Sequence, residues 1–264
     1  MAGKDRKKEL ARQRFERQQQ RREAQQRQAQ RVKIIGGVAA VVVLGGAGAA
    51  VAVAVAVSGN GKAKTTTTTT AASVKPGECS YTATQDKGAL AGGGTPPVKP
   101  VYKAAVPATI KTNLGDIAVS LDGAKAPCTT GSFAYLAQHK YFNNHPCHRL
   151  TTGALQVLQC GDPTGTGSGG PGYKFAEENL PKAAASGTAT YAKGVLAMAN
   201  AGPGTNGSQF FIVYGDSQLP PSYTIFGTVT SGLGIVQDVA KAGAPNGDGA
   251  PKKKVTIQDV TIAG

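Results

Sequence analysis

The sequence predicts a mainly β domain over residues 108–264, a barrel or sandwich of antiparallel strands with two helices capping it. Three observations carry the prediction. Short apolar runs recur, each bounded by Gly, Pro, Asn or Asp; only two segments show helical spacing; and glycine is abundant, at 36 of 264 residues.

The residues before 108 read differently. Residues 1–33 hold twelve Lys and Arg against four Asp and Glu, so +8 of the chain's +14 formal charge sits in this arm. The arm has helix-forming residues but few apolar ones to bury. It reads as a solvated juxtamembrane segment drawn to anionic lipid headgroups, a role that the adjoining apolar run favours over nucleic-acid binding. From Ile34 to Val57 the chain is uncharged and built from Val, Ala, Gly, Ile and Leu. As a helix its length would be roughly 36 Å, enough to cross a hydrocarbon core of about 30 Å with some tilt. A cleaved signal peptide is the rival reading, but the charged region and the apolar core are both long for one. The basic flank places the N-terminus in the cytoplasm and everything after Ser58 outside it. Residues 58–107, with Gly59-Asn60-Gly61, the threonine run Thr65 to Thr70 and Pro96-Pro97, read as a flexible tether across the cell envelope.

The domain itself opens with alternation at 108–112 and 117–121 around Asn113-Leu114-Gly115-Asp116, a β-hairpin pattern. Pro127 leads into Phe133, Tyr135 and Leu136, a short helix. Further strands are expected at 155–158, 194–199, 210–214, 224–229 and 255–262, and a second helix at 234–242 through Ile235, Val236 and Val239. The segment from Met198 to Phe211, MANAGPGTNGSQFF, joins a Gly/Pro/Asn turn to two aromatics, which brings backbone close to a ligand beside an apolar pocket.

Cys147-His148-Arg149, the run from Leu158 to Gly167, Gly169 to Tyr173, Met198 to Phe211 and Thr224 to Gly227 together resemble the cyclophilins in order and spacing over residues 108–264. The resemblance implies an eight-stranded antiparallel barrel closed by two helices, and peptidyl-prolyl cis–trans isomerase activity with no cofactor or metal. It implies Arg149 as the donor to the proline nitrogen, Gln159 as its polar neighbour, Phe211 as the floor of the proline pocket, and Val157 and Leu219 as walls. Asn200, flanked by Ala199 and Ala201, would offer main-chain hydrogen bonds to an extended peptide, with Gln209 lining the same groove. The expected partners are proline-containing polypeptides, with the protein acting as a monomer.

Three departures from the family pattern stand out. A short insertion falls around Thr151-Thr152-Gly153; Gln156 stands where a pocket phenylalanine is common; and Tyr223 stands where many members have histidine, while no tryptophan is present. Gln156 and Tyr223 motivate a second reading, a non-catalytic proline-binding or chaperone module.

Other motifs carry less. The glycine loop 161–172 lacks the Gly-Lys-Ser/Thr of a phosphate loop, and His139, His145 and His148 near Cys147 fit no standard zinc spacing. Asn206-Gly207-Ser208 matches a glycosylation sequon but lies inside the groove motif. Cys79, Cys128, Cys147 and Cys160 all fall on the expected outer side, where disulfides persist, and three pairings are open. Cys147 and Cys160 flank the hairpin between Arg149 and Gln159, so a bond between them is one option, leaving Cys79 to staple the tether to Cys128.

Overall fold

The computed structural model describes residues 77–263. Its elements are β1 (Thr82–Ala83), β2 (Ala105–Thr112), β3 (Gly115–Asp122), helix α1 (Pro127–Gln138), β4 (His145–Pro146), β5 (Arg149–Thr152), β6 (Gln156–Cys160) and β7 (Tyr173–Lys174). Next in the chain come β8 (Ala189–Tyr191), β9 (Val195–Met198), β10 (Phe210–Val213), β11 (Ser217–Leu219), β12 (Ile225–Ser231), helix α2 (Leu233–Ala242), β13 (Asp248–Gly249) and β14 (Thr256–Ile262). The expected basic arm, the membrane span at 34–57 and the first part of the tether lie outside the described residues. Among the described residues no helix is long and apolar enough to cross a membrane.

Ten strands form one antiparallel sheet in the order β13-β5-β6-β10-β9-β12-β3-β2-β14-β4. β4 and β5 belong to one continuous segment. Its first end pairs with β14, through His145 opposite Ile257, and its second pairs with β6, through Arg149 opposite Gln159. Between them the Cys147 N–H donates to the Val255 carbonyl at 2.9 Å, so the sheet curls back on itself. The sheet holds ten strands where eight are expected, and two of the ten, β4 and β13, are only two residues long.

Successive side chains of a strand point to opposite faces, and here both faces of the central strands are covered. On the inner side, Phe133 of α1 meets Phe142, Phe210 and Phe226 with ring centroids 4.9 to 5.4 Å apart. All four rings are buried, and aromatic packing of this kind dominates the energetics of a core.

Helix α1 starts at Pro127, whose missing N–H costs nothing at a first helical position. Ala126 cannot cap the exposed amides. The Glu178 carboxylate does so instead, accepting from the Cys128 and Thr129 N–H groups at 3.1 and 2.8 Å. Helix α2 starts after Gly232, at φ 83°, where any Cβ would run into the Asp116 carbonyl; it buries Val236 and Val239, one turn apart.

The tether expected at 58–107 is corrected at its C-terminal end. From Cys79 the chain packs on the domain: Cys79 is bonded to Cys128, β1 pairs with β7, and Leu90 joins the main core. Tyr81 sets its ring edge-on against Tyr173 and Phe175 and donates its hydroxyl to the Cys128 carbonyl at 3.0 Å. The low overall hydrophobicity of this stretch hides a few well-placed anchors, and a disulfide makes such a segment cheap to order.

Candidate active site

Strand parity builds the site. Along β6, Leu158 and Cys160 enter the main core, whereas Val157 enters a second, smaller cluster; along β10, Phe210 and Ile212 go inward and Phe211 and Val213 outward. β9 divides the same way, with Leu196 and Met198 against Val195 and Ala197. The second cluster also takes Ala189 and Tyr191, and it opens on a cavity of about 170 Å³ lined by Arg149, Leu155, Val157, Gln159, Ala199, Asn200, Phe211, Leu219 and Tyr223. Eight of the candidate residues named from the sequence therefore meet around one cavity.

Gln156 does not. It is one position out of phase with Val157 and Gln159, on the parity of Leu158 and Cys160, and its amide lies where a Cβ on Gly215 would be. The cavity wall at this level is Leu155, which no sequence motif singles out. With Leu155 in the place that Gln156 would take, the pocket wall is apolar at this level. Gln209 lines a neighbouring cavity of about 550 Å³ that shares Gln159, Ala199 and Asn200 with the first. Thr84 and Asp86, from the segment expected to be tether, line the same larger cavity.

The polar edge is a chain of hydrogen bonds. Arg149 and Gln159 stand directly opposite each other in the β5–β6 register, with Nη1 pointing at the Gln159 Oε1 at 3.4 Å. Gln159 Nε2 donates to Gln209 Oε1 at 2.8 Å, and Gln209 Nε2 donates to the Gly169 carbonyl at 2.9 Å. At the other end, Arg149 Nε and Nη2 donate to the two carboxylate oxygens of Asp248 at 2.7 and 2.9 Å. That hydrogen bond, together with the carboxylate charge, raises the guanidinium pKa above its ordinary value, and the reciprocal bond holds the Asp248 carboxyl below the usual carboxylate range. Asp248 lies 99 residues from Arg149, so no local spacing marks the pair.

Two features hold this edge in place. The Cys147–Cys160 disulfide brackets the Arg149–Gln159 pair, lying just before the arginine and just after the glutamine. Of the three pairings open from the sequence, the structure holds Cys147–Cys160 and Cys79–Cys128. The second feature is the loop after β6. Gly161, at φ 86°, lets the chain pass so close to Ser208 that any Cβ would strike its carbonyl. Asp162, fully buried, then accepts from the Thr164, Thr166 and Gly167 N–H groups at 2.7, 3.0 and 2.5 Å. Burial pushes its carboxyl up, but the hydrogen bonds from the Thr164 hydroxyl and N–H and from the Gly169 and Gly167 N–H groups outweigh that and hold it below the usual range. His148, beside Arg149, has both ring nitrogens buried without a partner; burial lowers its pKa, with Asp162 pulling up and Arg149 pushing down.

The groove motif is rigidly tied. Ala199 N–H donates to the Gln209 carbonyl at 2.9 Å, and the Asn200 side chain donates to the Ser222 carbonyl at 2.8 Å and to Asn206 Oδ1 at 3.3 Å. Asn206 is fully buried and donates to the Ala176 carbonyl and Thr224 Oγ1, so the sequon it begins is closed to modification in the folded domain.

A curled antiparallel sheet with two helices, an outward-facing apolar cavity and an arginine at its rim define a cyclophilin-type domain. The family model described as cyclophilin type peptidyl-prolyl cis-trans isomerase/CLD matches residues 108–262, and the chain belongs to that family. Among curated relatives, the chain is 47% identical over 203 residues to a probable peptidyl-prolyl cis-trans isomerase B of Mycobacterium leprae, covering 70% of this chain. It is 46% identical over 203 residues to the Mycobacterium tuberculosis protein of the same description, again covering 70% of this chain. The chain spans 66% and 63% of the length of these two relatives. Among solved structures, a cyclophilin type peptidyl-prolyl cis-trans isomerase of Cryptosporidium parvum superposes with a TM-score of 0.52 at 31% identity, covering 61% of this chain and 98% of that one. A second crystal structure of that protein, in the presence of the dipeptide Ala-Pro, gives a TM-score of 0.51 at 32% identity, over 60% and 99% of the two chains.

Proposed function

We propose that this chain is a peptidyl-prolyl cis–trans isomerase acting on proline-containing polypeptides. The observation that carries the reading is the convergence of Arg149, Gln159 and Phe211 on one cavity, in a chain of this family. Rotation about an X-Pro bond must break amide resonance, a barrier of about 18–20 kcal/mol. No nucleophile is required. Phe211 and the walls formed by Leu155, Val157, Leu219 and Tyr223 hold the proline ring while the preceding carbonyl swings. As resonance is lost, the proline nitrogen regains its lone pair, and an Arg149 N–H stabilises it more in the twisted state than in either planar one. Gln159 holds the guanidinium from one side. The Asn200 side chain is committed to Ser222 and Asn206, so its main chain is what it offers an extended peptide. The crystal structure of the Cryptosporidium parvum relative in the presence of the dipeptide Ala-Pro supports a proline-containing ligand.

We further propose that residues 34–57 anchor a monomeric chain in the membrane, with the basic arm against cytoplasmic lipid headgroups and the isomerase domain outside the cell, where its clients are exported proteins. Support comes from the uncharged run, its basic flank and four cysteines paired as two disulfides. Partition of the full-length chain with membranes, and its release by trimming residues 1–57, test the anchor.

The full-length chain, assayed with an X-Pro peptide whose trans form alone is cleaved by a protease, tests the activity. Acceleration of the slow phase is expected. Tight peptide binding without acceleration would select the non-catalytic proline-binding module instead.

A further inference from the structure

Five N–H bonds radiate from the Arg149 guanidinium. Two of them, on Nε and Nη2, are taken by Asp248, and one Nη1 hydrogen faces Gln159. Two remain for a peptide. Asp248 is itself fixed: it opens β13 directly after the turn Pro245–Gly247, stands opposite Thr151 in the β5 register, and so reaches Arg149 as a diagonal cross-strand neighbour on the same face. The side chains of Arg149 and Asp248 are 40% and 55% exposed, and an ion pair this open contributes little to stability. What a bidentate carboxylate does supply is direction, because it fixes the plane of a guanidinium on a long, otherwise rotatable stem. The Gln159 contact, at 3.4 Å, is too long to do so alone.

We propose that Asp248 is a positioning residue for this reaction, holding the Arg149 guanidinium so that its two unshared N–H bonds face the proline nitrogen. The proposal rests on the isomerase reading of the site. An opposite effect competes with it: a carboxylate beside the guanidinium weakens the positive field that the developing lone pair feels. Positioning wins because the donor acts through a directed hydrogen bond, whose strength falls steeply with misalignment, whereas the carboxylate sits on the solvent side where water screens it.

The test is a double-mutant cycle in the full-length chain with an uncharged X-Pro peptide. Asp248→Ala should lower kcat/KM about three- to tenfold on the parent background, chiefly in kcat. On an Arg149→Lys background, where no bidentate pair can form, the same change should cost under about twofold. Asp248→Asn, which keeps one accepting oxygen, should recover part of the loss. Equal losses on both backgrounds, or unchanged or raised turnover of Asp248→Ala, would overturn the proposal. Nitrogen-15 relaxation of the Arg149 Nε–H supplies a readout independent of turnover: the guanidinium should become more mobile in Asp248→Ala, and equal order in both proteins overturns the proposal. A parent chain without turnover would sink the isomerase reading itself, leaving the relaxation result to decide whether Asp248 orients Arg149.

Discussion

The Tyr223 ring stands edge-on to Phe211, with centroids 5.7 Å apart and planes at 81°. Tyr223 also shares its neighbour Tyr191, whose hydroxyl donates to the Tyr223 carbonyl at 3.0 Å. One residue that departs from the family pattern is therefore built into the pocket wall. An edge-to-face aromatic pair is worth about 0.5–1.5 kcal/mol beyond its buried area. Tyr223→Ala should raise KM for an X-Pro peptide several-fold with a smaller change in kcat, because the wall binds ground and transition states alike; Tyr223→Phe should stay near the parent. A loss confined to kcat would mean that Tyr223 acts on the twisted amide.

Phe211 is the stronger anchor. It is only 5% exposed and packs within the second cluster, so Phe211→Ala should cost about 3–5 kcal/mol of stability as well as its pocket floor. Phe211→Leu keeps much of the volume and should fold well while binding proline more weakly. Urea midpoints and peptide affinity, measured together on both variants, separate the two effects.

Gln159 links Arg149 to the loop at Gly169 through Gln209. Gln159→Leu leaves the Gln209 amide without its donor and removes one contact from the guanidinium. Turnover should fall by about tenfold or more with little change in the urea midpoint, since the site is half-open to water. Undiminished turnover would show that the chain of amides is only structural.

The two disulfides should separate by function. Cys79–Cys128 spans 49 residues and Cys147–Cys160 spans 13. Loop entropy gives about 4 and about 3 kcal/mol respectively, so replacing either pair by alanine lowers the urea midpoint, the longer loop more. Only loss of the Cys147–Cys160 bond, which brackets Arg149 and Gln159, should also lower turnover. Equal turnover in both double variants would contradict that.

Burial lowers the pKa of His148, and burial likewise lowers that of His145. A histidine that resists its proton in the folded state is protonated first in the unfolded one. The stability it contributes is present above its ordinary value near 6.5 and is lost as pH falls through that value. Thermal midpoints should therefore drop between about pH 7.5 and pH 5.5, and His148→Leu should flatten part of the drop. An identical slope in the variant would assign the whole effect elsewhere.

Much of this fold is legible in the sequence because its strands carry local signals. The turn signal at Asn113-Leu114, followed by Gly115, between two alternating runs gives the β2–β3 hairpin, and Phe210-Phe211-Ile212-Val213, apolar on both faces, marks a strand covered on both sides. The site residues are legible through motifs that keep Arg149, Gln159 and Phe211 in order. Three things are not. Motif spacing assigns Gln156 to the pocket, but the face it occupies depends on strand register, where one residue decides everything. Residues 79–90 look too polar to fold because their anchors, Cys79, Tyr81 and Leu90, are few and their partners lie far along the chain. Asp248 is invisible because its partner is 99 residues away and its own surroundings, Asn246-Gly247-Asp248-Gly249, read as an ordinary turn.

The central claim is that Arg149 stabilises the twisted X-Pro amide. Its most direct test is kcat/KM of the full-length parent and of Arg149→Ala with one X-Pro peptide in the protease-coupled assay. Removing a single donor aimed at a developing charge costs about 10²–10³-fold, so Arg149→Ala should lose activity by about that factor while still binding peptide in the Phe211 pocket. An Arg149→Ala chain that turns peptide over as fast as the parent would contradict the claim.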